Sequence, residues 1–373
     1  MRITRLQVAH VRRLDGLILQ PGPGLNLITG DNGAGKTSLL EALHVLAYGR
    51  SFRGRVRDGV IQTGAAAVEI FAEWQEEASG RHRRVGLRHS GQQWQGRLDG
   101  ADVSHLGELC AALAVVTFEP GSHALVTGGG EPRRRLLDWG LFHVEQNERS
   151  HEFLSLWRRY SRALKQRNAL LKARVRDPQL DAWDWELADV GEPLTRRRQE
   201  YLDALEPVLQ TVAADLAPAL GIARLEFQPG WARDNVSLAD ALVLARERDL
   251  ANGFTSVGPH RADWRIDYTA LPGREALSRG QAKLTALSLL LSQAQYHAEA
   301  CREWPVVALD DLASELDRQH QQRVLKRLAA SGAQVFISGT EPPAAIEALG
   351  VEIARFHVEH GQLIPPPADS PLE

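Results

Sequence analysis

A chain of 373 residues can bury a sizeable core, as one large domain with an excursion or as two domains. With 43% hydrophobic and 24% charged residues it has an ordinary globular composition, and a net charge of −3 argues against a uniformly basic nucleic-acid binder. Nowhere does an apolar run approach the ~20 residues of a membrane span. MRITRLQVAHVRR lacks the apolar stretch of a signal peptide, so a cytoplasmic protein with no membrane partner is expected. Cys110 and Cys301 stand far apart with no CxxC or Cys/His cluster, which points to neither zinc nor disulfides.

From the first residue, ITRLQVAHV, LDGLILQP and LNLIT read as short strands separated by turns. They end in Gly30-Asp31-Asn32-Gly33-Ala34-Gly35-Lys36-Thr37, which fits G-x-x-x-x-G-K-[ST] between an apolar strand and a helix pattern with Leu39, Leu40, Leu43 and Leu46 on one face. That is the context of a P-loop: backbone amides curl around phosphates, Lys36 reaches the β and γ groups, and Thr37 ligates Mg²⁺. Only five lysines stand against 39 arginines, so a chance match is rare. Residues 66–118 return to strand patterns (VEIFAEW, RRVGLRH, QWQGRLDG, LAVVTF) and read as one meander.

The texture changes after GGGEP at 128–132. Between Leu141 and Asp177 there is neither Gly nor Pro, and Phe153, Trp157, Tyr160, Leu164, Leu171 and Val175 recur at mostly helical spacing. Tyr201, Leu205, Val208 and Val212 repeat that spacing, and the two helices, joined near DPQLDAWD, form an antiparallel, coiled-coil-like hairpin. Pro193 and Pro207 limit the regularity of its second arm, while Trp157 and Tyr160 suit core packing better than base stacking. Arg149 to Arg176 carries nine bases and one acid, Glu152; Asp181 to Glu192 carries five acids and no base. The basic stretch is either a phosphate-binding face or a solvated face paired with the acidic arm.

Strand patterns resume with ARLEFQPG and RADWRIDYTAL, and WPVVALDD is a continuously apolar strand ending in two carboxylates. With a P-loop in the same chain it is the natural Walker B segment: Asp310 holds Mg²⁺ and Asp311 polarises the attacking water, although Asp311 could equally cap the LASELD turn. QVFISGT and VEIARFHVEHGQLI add strands, and PPPADSPLE reads as a flexible tail over 365–373. Ser278-Arg279-Gly280-Gln281 has the spacing of a capping box, but Gly280 is costly in a first helical turn unless something comes close to it. Such a turn is also a second phosphate site.

LSRGQ resembles the LSGGQ signature of ABC-type ATPases, in which ATP is sandwiched between one subunit's P-loop and its partner's signature. HVRRLDGLILQPGPGLNLITGDNGAGKTSLLEALHVLAYGRSFR, VTFEPGSHALVTGGGEPRRRLLD, VGPHRAD, LSRGQAK and LDDLASELD together resemble the RecF family of bacterial recombination-repair ATPases, related to SMC proteins, over nearly the whole chain. The resemblance implies an α/β ABC/SMC-type P-loop ATPase head (1–140 with 220–364) and an inserted helical lobe (141–219). It implies ATP and Mg²⁺ as ligands, DNA, a homodimer on ATP and RecR as partners, and weak, DNA-stimulated hydrolysis with Lys36 and Asp311 as catalytic groups. The implied role is repair and replication restart near single-strand gaps, with recombinase loading and SOS induction. Arg12 matches an arginine near the nucleotide, Ser314 to Asp317 match the D-loop at the dimer interface, and Thr340 stands where ABC proteins carry the switch histidine. The chain departs from the family in Ala262, where an acid is usual, in Phe52, where a histidine is expected, and in lacking an evident Q-loop glutamine. His260 and Arg261 form either a family-specific site or a structural hydrogen-bonding pair. Rival readings are an ABC transporter subunit, against which stand about 270 residues between Lys36 and Asp310, and a nonhydrolysing SMC-like head.

Overall fold

Two kinds of strand pattern separate into two kinds of sheet. The strands are β1 (Arg2–Val11), β2 (Leu14–Leu19), β3 (Leu25–Thr29), β4 (Val68–Gln75), β5 (His82–His89), β6 (Trp94–Leu98), β7 (Ala101–Asp102) and β8 (Val115–Phe118). Then follow β9 (Ala223–Gln228), β10 (Asp263–Tyr268), β11 (Val306–Leu309), β12 (Val335–Ser338), β13 (Ile353–Glu359) and β14 (Gln362–Ile364). The helices are α1 (Lys36–Tyr48), α2 (Leu106–Ala112), α3 (Ala124–Thr127), α4 (Gly130–Val144), α5 (Glu152–Lys172), α6 (Gln179–Leu216), α7 (Leu238–Asn252), α8 (Arg279–Cys301), α9 (Leu312–Glu315) and α10 (Arg318–Ser331). This computed structural model describes residues 1–56, 59–145, 152–174, 178–271 and 277–364. The expected tail at 365–373, together with Arg149, Val175, Arg176 and Asp177 of the expected basic helix, lies outside the described residues.

The chain divides into two units, Met1–Ser122 with Leu287–Glu373, and His123–Ala286. In the first unit, strands that alternate buried and exposed residues form an antiparallel sheet in the order β2-β1-β4-β5-β6-β7. Strands buried on both faces, β3, β12, β11 and β8, form the second sheet together with the more exposed β13 and β14 at its other end, in the order β14-β13-β3-β12-β11-β8, parallel except for β14. LAVVTF therefore leaves the meander expected over 66–118: Val115 to Phe118 are all buried and pair with β11. An unbroken apolar run suits a doubly covered parallel strand, whereas VEIFAEW, with one wet face, suits an antiparallel one. α1 is buried nearly all round rather than on one leucine face, as a helix enclosed by its sheet must be.

The second unit is wider than the 141–219 insertion expected. It takes in α4, which packs on β10, and the β9–β10 ribbon, which packs on α6. α5 and α6 form the expected antiparallel pair, but the DAWD segment lies within α6, which continues through both Pro193 and Pro207 to Leu216. Each interior proline costs a helix about 3 kcal/mol. Here buried side chains recur along its whole length, among them Leu187, Leu194, Tyr201, Leu205, Leu209 and Val212, and that burial outweighs the loss. Tyr160 is buried as expected, but Trp157 is 41% exposed and turns its indole N–H to Asp138.

Candidate active site

The parallel sheet brings the chemistry of the first unit to one edge. β3 ends in the glycine loop, β11 in Asp310 and Asp311, and β12, which lies between them, ends in Ser338. Gly30 has φ 146° and Gly35 φ 122°; a Cβ at Gly30 would stand 2.1 Å from the Val358 carbonyl oxygen, so the loop closes against β13 only with glycine there. α1 starts at Lys36 with no side chain capping it, which leaves its first amides directed to whatever occupies the loop. Lys36 is buried, and its ammonium donates to the carbonyls of Gly30 (2.6 Å) and Asp31 (2.8 Å). Burial lowers its pKa, and Asp311, Asp310 and Asp31 pull the other way. A buried cation held by two neutral carbonyls beside an uncapped helix terminus fits a polyphosphate.

Thr37 donates from Oγ1 to Asp310 Oδ1 at 2.9 Å, and Ser338 Oγ donates to the same oxygen at 2.6 Å. Asp310 is 1% exposed; burial pushes its carboxyl above the ordinary range, while donation from Ser338 and Thr37 and the charge of Arg53 oppose that. Thr37 and Asp310 thus present two hard oxygen donors side by side, a donor set that suits Mg²⁺. Asp311 has φ 54°, a left-handed conformation costing about 1–2 kcal/mol outside glycine. Its amide donates to Ser338 Oγ (3.0 Å) and its carboxylate accepts from the Ser314 hydroxyl. It occupies the N-cap position of α9, yet makes no side-chain cap, so the cap reading does not account for its carboxylate.

Of the two adjacent arginines, Arg12 forms a bidentate pair with the buried Glu41 and also bonds the Gly59 carbonyl. Arg13 is the one that reaches the P-loop, donating to the Gly33 carbonyl at 3.1 Å. Ser314 lies against Asp311, whereas Asp317 caps α10 by accepting from the His320 amide. Thr340 is exposed, two residues beyond Ser338. In the second unit Ser278 and Gln281 make the capping box reciprocally, the Ser278 amide to Gln281 Oε1 at 2.8 Å and the Gln281 amide to Ser278 Oγ at 3.3 Å. Ser278, Arg279 and Gly280 are exposed, and a Cβ on Gly280 would meet no atom within 4 Å. Nothing among the described residues of this chain explains the glycine.

Sequence reasoning missed Ser338, Arg13 and Glu41. A hydroxyl at the end of the apolar run QVFIS was a usable signal for Ser338, because parallel strands end on a common edge. His260 has both ring nitrogens bonded: Nδ1 to the Tyr160 hydroxyl (2.7 Å) and Nε2 to the Thr255 carbonyl (2.9 Å), and burial lowers its pKa to about 4. The carbonyl must accept, so Nε2 carries the proton and Nδ1 accepts from the tyrosine. Arg261 bonds the same Thr255 carbonyl and stacks over Phe254. Ala262 is fully buried, so an acid there would sit without water, and the neighbouring Asp263 instead pairs with buried Arg133. Phe52 meets the His44 ring edge-on.

The family model for the RecF/RecN/SMC N-terminal domain matches residues 2–361. The chain is 65% identical over 370 residues to the DNA replication and repair protein RecF of Stenotrophomonas maltophilia, covering 98% of this chain and all of that one. It is 63% identical over 366 residues to RecF of Xanthomonas axonopodis pv. citri, covering 97% and 98%. Among solved structures, a recombination mediator protein RecF with ATP superposes with a TM-score of 0.85 at 26% identity, covering 97% of each chain. An Smc head bound to the C-terminal winged-helix domain of ScpA superposes with a TM-score of 0.60 at 16% identity, covering 97% of this chain and 96% of that one, which bears on the fold alone. No helix among the described residues is long and apolar enough to cross a membrane. An ABC-type head whose glycine loop and Thr37–Asp310 pair meet at one sheet edge, matched by these relatives over 97–98% of the chain, places the chain in the RecF family of DNA replication and repair proteins.

Proposed function

We propose that this chain is an ATP-dependent DNA-binding protein of recombinational repair, pairing with a second copy on ATP and reset by slow hydrolysis. The observation that carries the reading is the single sheet edge where an uncapped helix terminus, a buried lysine and the Thr37–Asp310 pair meet. Lys36 and the loop amides bind and orient the β- and γ-phosphates, and Thr37 and Asp310 hold Mg²⁺, which when bound neutralises phosphate charge. Asp311, fixed through its amide by Ser338, positions the attacking water and takes up its proton. Catalysis is then positioning and electrostatics without a covalent intermediate. Exposed Gly280 at a helix start supports a signature, Ser278 to Gln281, that serves a second copy's γ-phosphate, and the family resemblance adds Ser314, Asp317 and Thr340 as D-loop and switch positions.

The solved ATP-bound relative is a recombination mediator of the RecFOR pathway, and the family resemblance adds RecR as a partner, recombinase loading and SOS induction as outcomes, and a cytoplasmic setting. Light scattering with and without MgATP tests the pairing. Wild type should double in mass with ATP; Ser278→Arg should still bind ATP but remain single, and Lys36→Met should neither bind ATP nor pair. A protein that stays monomeric with ATP in every case removes the sandwich.

A further inference from the structure

The basic stretch and the acidic arm of the second unit look complementary in sequence, and the structure shows how little of one the other neutralises. The five acids of the arm are all engaged: Asp181 with Arg246, Asp184 with Arg167 and Arg246, Glu186 and Asp189 with Arg159, and Glu192 with Arg233. Only Arg159 and the buried Arg167 come from α5; Arg246 and Arg233 come from elsewhere. That leaves Arg158, Arg162, Lys165 and Lys172 exposed, and among the described residues none of them has an acid or hydrogen-bond partner. Their spacing of 4, 3 and 7 puts them in one stripe along α5, roughly 21 Å long at 1.5 Å per residue. The sole acid on α5, Glu152, is bonded to Arg197.

A face needed only for solubility gains a few tenths of a kcal/mol from interspersed acids; this one forgoes that and sets like charges at i,i+4 (158/162) and i,i+3 (162/165). The outer face of the antiparallel sheet is also rich in arginine, but there Arg81, Arg83, Arg88 and Arg97 are each matched to a carboxylate. In a chain of net charge −3, the positive charge of this α5 stripe has no acidic partner among the described residues of its own unit.

We infer that this stripe of α5 is a docking surface for the phosphate backbone of duplex DNA, an inference that rests on the DNA-binding reading above. About 21 Å of helix runs past roughly six phosphates of one strand at 3.4 Å each, enough for four cations to find one apiece. Contacts of this kind go to phosphates and carry no sequence information, so the surface positions DNA without regard to sequence.

The test is fluorescence anisotropy on a labelled duplex from 50 to 200 mM salt, with MgATP. It compares wild type, Arg158→Gln/Arg162→Gln/Lys165→Gln/Lys172→Gln, and the sheet-face control Arg88→Gln/Arg97→Gln. Glutamine keeps helix propensity close to that of arginine and lysine. Each neutralised phosphate contributes about 0.9 to the slope of log K against log salt, so the four-site variant should lose up to about 3.6 of slope. Four contacts weaken about 150-fold over that salt range, a weakening the variant should no longer show. The control should match wild type, and Arg158→Lys with Arg162→Lys should retain the full slope. Retained ATP binding and an unchanged melt show that the variant is folded. A four-site variant with wild-type affinity and slope overturns the assignment while leaving DNA binding in place, and is what a stripe built for an acidic protein would give. If wild type binds no duplex at any salt, the DNA reading itself falls.

Discussion

Ser338 makes the most exposed commitment about the site. Its hydroxyl donates to Asp310 Oδ1 at 2.6 Å and accepts from the Asp311 amide at 3.0 Å, so Ser338→Ala removes one donor from a buried carboxylate and one acceptor from a backbone N–H. Losing a hydrogen bond to a charged group and the acceptor of a half-buried amide together cost about 3 kcal/mol. That corresponds to a fall of about 6–12 °C in Tm for a unit of this size. The assay is thermal unfolding in EDTA without nucleotide, at pH 8 and at pH 5. Burial already holds the Asp310 pKa above its unfolded value of 3.8, so the native state binds more protons than the unfolded one between those two values. The stability lost to this group therefore grows as pH rises through that window and is recovered as pH falls. Removing the Ser338 donor raises the folded pKa further, so the gap between wild type and Ser338→Ala should be larger at pH 8 than at any more acidic pH within that window. Equal melting at pH 8, or a gap that widens in acid, would refute the hydroxyl bridge.

Lys36→Met should abolish the rise in Tm that MgATP gives wild type, because the only ammonium in the glycine loop is gone; a retained shift would place the nucleotide elsewhere. Asp311→Asn should keep ATP binding and ATP-dependent pairing while phosphate release, followed colorimetrically, drops at least about 100-fold. Wild-type hydrolysis in that variant would remove Asp311 from the chemistry. His260, with a pKa of about 4 when folded and 6.5 as its ordinary value, is neutral in the native state. Its contribution is complete above pH 6.5 and is lost as pH falls toward 4, so His260→Gln should flatten the acid side of the stability profile; an unchanged slope between pH 6.5 and 4 would contradict its buried neutral state.

What was legible beforehand was what the chain writes contiguously. A phosphate loop needs its glycines, lysine and threonine in eight successive residues, and a Walker B strand needs an apolar run with acids at its end, so both could be read directly. Ser338 could not, because its partners are set by strand order: β12 lies between β3 and β11, and no local pattern announces that. Arg12 and Arg13 are neighbours of one chemistry, and which of them faces the loop follows from a backbone turn at Arg12 with φ 53°. LAVVTF was correctly a strand but was assigned to the wrong sheet, since a doubly buried run does not name its neighbour. The two prolines of α6 misled for the opposite reason: they are strong local signals, and tertiary burial overrode them.

α6 has a further consequence for how the second unit assembles. A 38-residue helix with two interior prolines and a central glycine cannot nucleate and persist by itself in water. Its burial comes from α4, α5, α7 and β9, and Glu206 accepts from the Leu225 amide at the head of that strand. α6 is held helical by neighbours drawn from far apart in the chain, which ties them into one cooperative unit and makes the long arm the last part of it that could be shortened without cost.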